Sequence, residues 1–209
     1  MKALPKKLLP LTLFAIAVTS LICARPAEAY TVRLREVGAN VVATGSGAIN
    51  LTGLTLQISG ILTPGTLGAN FGLIQTGQLT DVLVDTYTGI TGPTSFGPGG
   101  PFFFMANTGS GDFVGIAGLA GQIEVPGGYV SGNPLSDSMT FNNATLASLG
   151  VTPGTYEWTW GARGANQNFT LIIGGAGVPD GGSTVSLLGF GLLGLAALRR
   201  KVSSHERKS

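Results

Sequence analysis

The 209-residue chain contains one cysteine and one histidine, and only 11% of its residues are charged. Cys23 and His205 lie in the two terminal segments, so the region between them carries neither a thiol nor an imidazole. That removes a disulfide framework, a Ser-His-Asp or Cys-His catalytic arrangement, and a zinc site of the usual His and Cys ligands. Clustered cations are missing as well. Between residues 30 and 180 only Arg33, Arg35 and Arg163 are basic, against eight acids, so the phosphate neutralisation that nucleic-acid binding requires is excluded. No stretch has an amphipathic helical period of adequate length, and a turn around Ala144 to Leu149 is the most that is expected.

What is present is a set of short alternating segments. In Leu54-Thr55-Leu56-Gln57-Ile58-Ser59 every second residue is apolar, the period of a strand with one face in a core and one in water. Tyr156 to Trp160 repeats the pattern with aromatics, and Phe169, Leu171 and Ile173 repeat it again. Thr31 to Glu36, Asn40 to Thr44, Asp81 to Thr86, Phe102 to Asn107, Asp112 to Leu119 and Ser138 to Asn142 also read as strands. Turn chemistry separates them, as in Thr63-Pro64-Gly65, Gly97-Pro98-Gly99-Gly100 and Val151-Thr152-Pro153-Gly154. The expected fold class is therefore all-β: a single β-sandwich, jelly-roll-like, of about eight to ten strands over residues 30–173. A solenoid of turns is the competing architecture.

The two ends read as addresses. Lys2, Lys6 and Lys7 precede an apolar run from Leu8 to Ile22, and small residues Ala27 and Ala29 follow, which is the layout of a secretory signal peptide over residues 1–29. Cleavage after Ala29 would make Tyr30 the first mature residue. Cys23 is preceded by Ile22, where a lipidation site needs a small residue, so lipidation is not expected. At the other end Val185 to Leu198 is uncharged and apolar; fourteen helical residues rise about 21 Å against a hydrocarbon core of roughly 30 Å. Arg199, Arg200 and Lys201 follow directly, and such basic residues are retained on the cytoplasmic side. A transmembrane helix at 185–198 with a basic cytoplasmic tail at 199–209 is the expectation, leaving the β domain outside.

Before that span, residues 174–184 form a linker and a short motif, Val178-Pro179-Asp180-Gly181-Gly182. Motif, span and basic cluster together resemble the tripartite C-terminal sorting signal of PEP-CTERM proteins, in its VPDSG or VPDGG variety, with Asp180 in place of the glutamate of the name motif. The resemblance covers about thirty residues. It implies export in a Gram-negative bacterium, a precursor transiently anchored in the inner membrane, processing by exosortase, and passage to the cell surface or extracellular matrix. Signal peptidase and exosortase are the implied partners, with exopolysaccharide as a further one. Gly150 to Ile173 also resembles the closing strands of a frequent central region in PEP-CTERM proteins, a region that brings no catalytic residue. Pro179, Gly181 and Gly182 keep the motif out of helix and sheet, which suits presentation as an extended segment.

No catalytic residue, cofactor or metal site is expected. Paired carboxylates are the one enzymatic option left, because glycoside hydrolysis needs only two acids, and Glu36, Asp81, Asp85, Asp112, Glu124, Asp137 and Glu157 are available. Asp81, Asp85 or Asp112 with loop carbonyls would suit calcium, although no EF-hand loop is present. Tyr156, Trp158 and Trp160 are the candidate ligand-binding residues of a carbohydrate-binding module; the competing reading of the tryptophans is core, since their apolar area is what a small β domain needs. Asn50, Asn143 and Asn168 begin Asn-X-Thr sequons, which a bacterial setting reads as coincidence and the resemblance to exosortase substrates leaves open as glycosylation sites.

Overall fold

The computed structural model of the protein describes residues 28–174. They form thirteen strands in two sheets, with one three-residue 3-10 turn, Ala69–Phe71, as the one helical element among the described residues. The strands are β1 (Tyr30–Val37), β2 (Asn40–Ala48), β3 (Thr55–Leu62), β4 (Thr66–Gly68), β5 (Leu73–Thr76), β6 (Val82–Thr88), β7 (Phe104–Met105), β8 (Thr108–Gly111), β9 (Val114–Ala117), β10 (Gln122–Pro126), β11 (Pro134–Phe141), β12 (Gly154–Thr159) and β13 (Asn168–Ile173). The six-stranded sheet runs β12-β13-β1-β2-β11-β8, and the seven-stranded sheet β3-β6-β10-β9-β5-β4-β7. Two sheets sharing one core are consistent with a β-sandwich.

Alternation places the core. In β1, Tyr30, Val32 and Leu34 are buried while their neighbours are at most half-covered, and in β13 Phe169, Leu171 and Ile173 do the same. These residues join Val41, Ala43, Met139, Phe141 and Trp158 of the six-stranded sheet and Leu67, Ile74, Val114, Ile116, Ile123 and Val125 of the other in one buried cluster. The tryptophan ring meets Phe169 edge-on at 5.8 Å between centroids, and Tyr30 lies on the same phenylalanine at 5.7 Å. Burying such rings is the largest favourable contribution per residue that a domain of this size has.

Every strand pair is antiparallel except one: β1 and β13 are parallel, with Tyr30 opposite Phe169 and Leu34 opposite Ile173. A parallel pair needs a long crossover. Here nearly the whole domain supplies it, and the first and last strands lie side by side.

Two of the expected strands differ in extent or exposure. Phe102 to Asn107 yields only the two residues of β7, because Phe102 and Phe103 stay exposed on the preceding loop. Leu54 to Ser59 does form a strand, β3, but none of its residues is buried. It stands at the edge of the seven-stranded sheet with Leu56 and Ile58 exposed, so its alternation does not mark a half-buried face. Four short strands, β4, β5, β8 and β10, have no counterpart in the sequence reading. Around Ala144 to Leu149 the chain makes a turn closed by an i to i+4 bond from the Leu149 amide to the Thr145 carbonyl.

The loops meet backbone to backbone where glycine allows. The Gly99 amide donates to the Gly150 carbonyl at 2.9 Å, and Gly150 has φ +63°, with its Cβ position occupied by the Gly99 backbone. Only glycine fits both the conformation and the contact.

Candidate functional site

The most unusual chemistry among the described residues is a carboxylate inside the sandwich. On β11 the inward positions are Leu135, Asp137, Met139 and Phe141, so an acid stands in an apolar row. Asp137 is only 8% exposed. A charge there must be hydrogen-bonded or neutralised. The Tyr30 hydroxyl from β1 donates to Asp137 Oδ2, and the Thr76 hydroxyl from β5 donates to the same oxygen at 2.6 Å, bridging the two sheets. Thr76 Oγ1 also lies 3.0 Å from the Val114 carbonyl. Both side-chain donors serve one oxygen; Oδ1 is buried without a partner.

Gly45 on β2, directly opposite Asp137, makes room for this arrangement. A Cβ at that position would collide with the Tyr30 hydroxyl and lie 2.5 Å from Asp137 Oδ1. Burial pushes the Asp137 carboxyl up to about 6, against an ordinary value of 3.8; the Thr76 and Tyr30 hydrogen bonds pull the other way, and nearby Asp112 adds to the rise. Burial, and then the Asp137 charge, raise the Tyr30 phenol well above its usual value. The cluster thus takes up a proton near pH 6 rather than near 4.

The other acids are engaged as local acceptors. Asp85 accepts from Ser59 Oγ at 2.5 Å and the Gly128 amide at 2.8 Å; Asp112 accepts from the Ser136 amide, Glu36 from the Leu146 amide, Asp81 from the Thr63 hydroxyl and Glu157 from Asn168. Glu124 is buried and held by Gln75 Nε2 at 2.7 Å, and burial raises its carboxyl above the ordinary range. No group of three or more potential metal ligands occurs among the described residues.

The aromatic candidates part company. Trp158 is fully buried and Trp160 nearly so, with their indole N–H groups donating to the Pro93 carbonyl at 2.8 Å and the Asn50 carbonyl at 2.7 Å. A ring enclosed on both faces offers no surface to a sugar. Tyr156 is half-buried, edge-on to Phe96, and its hydroxyl donates to the Thr152 carbonyl. The three do not form one exposed platform.

Of the processing residues, Ala29 is described: it makes an isolated parallel bridge to Ala48 just ahead of β1. Ala27, Val178, Pro179, Asp180, Gly181, Gly182, Arg199, Arg200 and Lys201 lie outside the described residues, as do the signal-peptide and transmembrane spans. Among the described residues no helix is long and apolar enough to cross a membrane.

The fold is an all-β one, and its C-terminal extension carries a recognisable address. Residues 177–202 match the family model of the VPDSG-CTERM motif, a sorting signal of the PEP-CTERM type. Such a signal implies export, processing by exosortase and an association with the membrane while processing takes place. No curated protein and no solved structure matches the chain.

Sequence reading counted Asp137 among seven acids without singling it out, and missed Tyr30, Thr76 and Gly45. The signal was there for Asp137: one acid at an inward position between Leu135 and Met139. Its hydroxyl partners come from strands 61 and 107 residues away, which no local pattern shows.

Proposed function

We propose that this is a non-enzymatic cell-surface or extracellular-matrix protein of a Gram-negative bacterium. A signal peptide over residues 1–29 takes it across the inner membrane, and signal peptidase removes that segment after Ala29. Residues 185–198 then hold the precursor in the bilayer, with Arg199, Arg200 and Lys201 inside, until exosortase acts at Val178 to Gly182. The β domain passes to the cell surface, in contact with exopolysaccharide. The match of residues 177–202 to the sorting motif carries this reading.

The domain suits that role. Its chain passes between the two sheets from β2 to β3, β7 to β8, β8 to β9 and β10 to β11, which ties them into one sandwich. The seven acids from Glu36 to Glu157 each accept from a neighbouring backbone or side-chain donor, which favours structural roles for them. A carbohydrate-binding module or a carboxylate-dependent carbohydrate-active enzyme has less in its favour, since the tryptophans are core and Asp137 is sealed between sheets.

Intact mass of the membrane-bound and extracellular forms tests the proposal. The wild type is expected to lose its C-terminal segment on release and to begin at Tyr30. Deleting residues 199–201 should leave unprocessed precursor; unchanged mass and location in that variant would refute the sorting role.

A further inference from the structure

The last described residue, Gly174, leaves the sandwich at an end whose loops share one character. Its amide donates to the Leu34 carbonyl at 2.9 Å, and its backbone stands against the Pro153 and Leu146 side chains. Pro153 closes the loop that contains Gly150, whose carbonyl holds the Gly99 amide, and the Thr152 amide donates to the Phe96 carbonyl. Gly99 in turn lies against Asn70. The exit, the loop before β7 and the 3-10 turn Ala69–Phe71 therefore occupy the same end of the domain.

Apolar side chains gather there. Phe102 is 83% exposed, and Phe71, Phe103 and Leu119 are exposed as well. The Phe71 and Phe103 rings meet at 5.3 Å between centroids, and the Leu119 amide donates to the Phe71 carbonyl. Exposed apolar side chains clustered in this way mark an interaction site.

Charge and chain length point to the occupant. Residues 61–80, 86–111, 113–123 and 138–156, which supply the patch and the loops beneath it, contain no acid and no base. Glu36, on the strand beside the exit, is taken up by the Leu146 amide. A neutral apolar face escapes the repulsion that acids meet at an anionic lipid surface. In the proposed topology the bilayer begins at Val185, eleven residues after Gly174; a flexible segment of that length separates its ends by about 18 Å on average and about 40 Å at most. The tether leaves from the apolar end, so that end is the one held over the lipid. A sugar platform fits less well, because the Phe71 and Phe103 rings are inclined at 49° to one another, whereas insertion into a headgroup layer needs no coplanar rings.

We infer that Phe71, Phe102, Phe103 and Leu119 form a cap that enters the headgroup region of the inner membrane's outer leaflet while the precursor is anchored, keeping the sorting motif at the lipid surface. The inference rests on the proposed anchoring by residues 185–198. Its test uses the full chain with Cys23→Ser, reconstituted in vesicles of phosphatidylethanolamine and phosphatidylglycerol. An environment-sensitive fluorophore is attached at Phe102→Cys, Val130→Cys or Leu192→Cys, one position at a time. Val130 is the control: it is 64% exposed, but its loop meets Ile49 beyond the last residue of β2, whereas the Ala144 amide of the exit-side loop meets Ala39 before the first. The Phe102 probe is expected to be blue-shifted and quenched severalfold more strongly than the Val130 probe by lipids spin-labelled near the headgroup. The Leu192 probe is expected to be quenched by lipids labelled deep in the acyl chain. Unfolding midpoints equal to that of the unlabelled chain establish that the labelled chains fold. Quenching at Leu192 with none at Phe102, or with equal quenching at Phe102 and Val130, overturns the cap and leaves the anchor standing. So does a blue shift at Phe102 without lipid quenching, as cover by another segment of the chain, a second copy or a glycan would produce. A Leu192 probe that no lipid quenches overturns the anchor and the cap with it.

Discussion

Asp137 makes folding depend on pH in a direction opposite to that of most carboxylates. An acid in a salt bridge stabilises the folded state above its pKa; here burial raises the folded value from 3.8 to about 6, so the unfolded chain ionises first. The stabilising contribution is complete below 3.8 and is lost as pH rises through about 6. It is worth on the order of 3 kcal/mol. Glu124, also raised by burial, adds a slope of the same sign. Thermal unfolding across this range should therefore show a midpoint that falls with rising pH, and Asp137→Asn should flatten much of that fall. An undiminished slope in the variant would mean that Asp137 does not hold the proton. Gly45→Ala tests the same cluster sterically. Its methyl group meets Asp137 Oδ1 at 2.5 Å, so a loss of about 1–3 kcal/mol is expected in denaturant unfolding.

At the scale of strands, the tryptophans and β3 give opposite expectations from the same alternating pattern. Trp158→Ala should cost about 3–5 kcal/mol, measured by denaturant unfolding, because the fully buried ring leaves a cavity against Phe169. Ile61→Lys, on an edge with no cover, should change stability by less than about 0.5 kcal/mol. Alternation was enough to locate β1 and β13, whose inward residues Tyr30, Val32, Leu34, Phe169, Leu171 and Ile173 are large and regularly spaced. It was not enough for β8, whose Thr-Gly-Ser-Gly sequence has no apolar side chain and is a strand only because Met139 and Thr140 of β11 pair with it. Nor does a period of two say which sheet covers a strand. Leu56 and Ile58 look inward on paper, yet both are exposed.

At the scale of the molecule, the sorting address was readable because it is contiguous: motif, apolar run and basic cluster follow one another within residues 177–202. The proton-binding cluster was not, because Tyr30, Gly45, Thr76 and Asp137 meet only when the sheets close. The same closure bears on the expected cleavage at Ala29. Tyr30 is fully buried in the folded domain, with its ring on Phe169, so the bond that precedes it is cut most readily before β1 has docked. Pulse-labelled precursor should be processed faster than the domain acquires protease resistance; resistance that comes first would contradict this order.

The parallel pairing of β1 with β13 has a consequence for how such a chain leaves the cytoplasm. A polypeptide threaded from its N-terminus delivers Tyr30 to Val37 early, but their neighbour on that side emerges only with Asn168 to Ile173. Until then one flank of β1 in the six-stranded sheet has no strand to bond with. The clasp of the six-stranded sheet is thus closed by the last strand of the described domain in chain order.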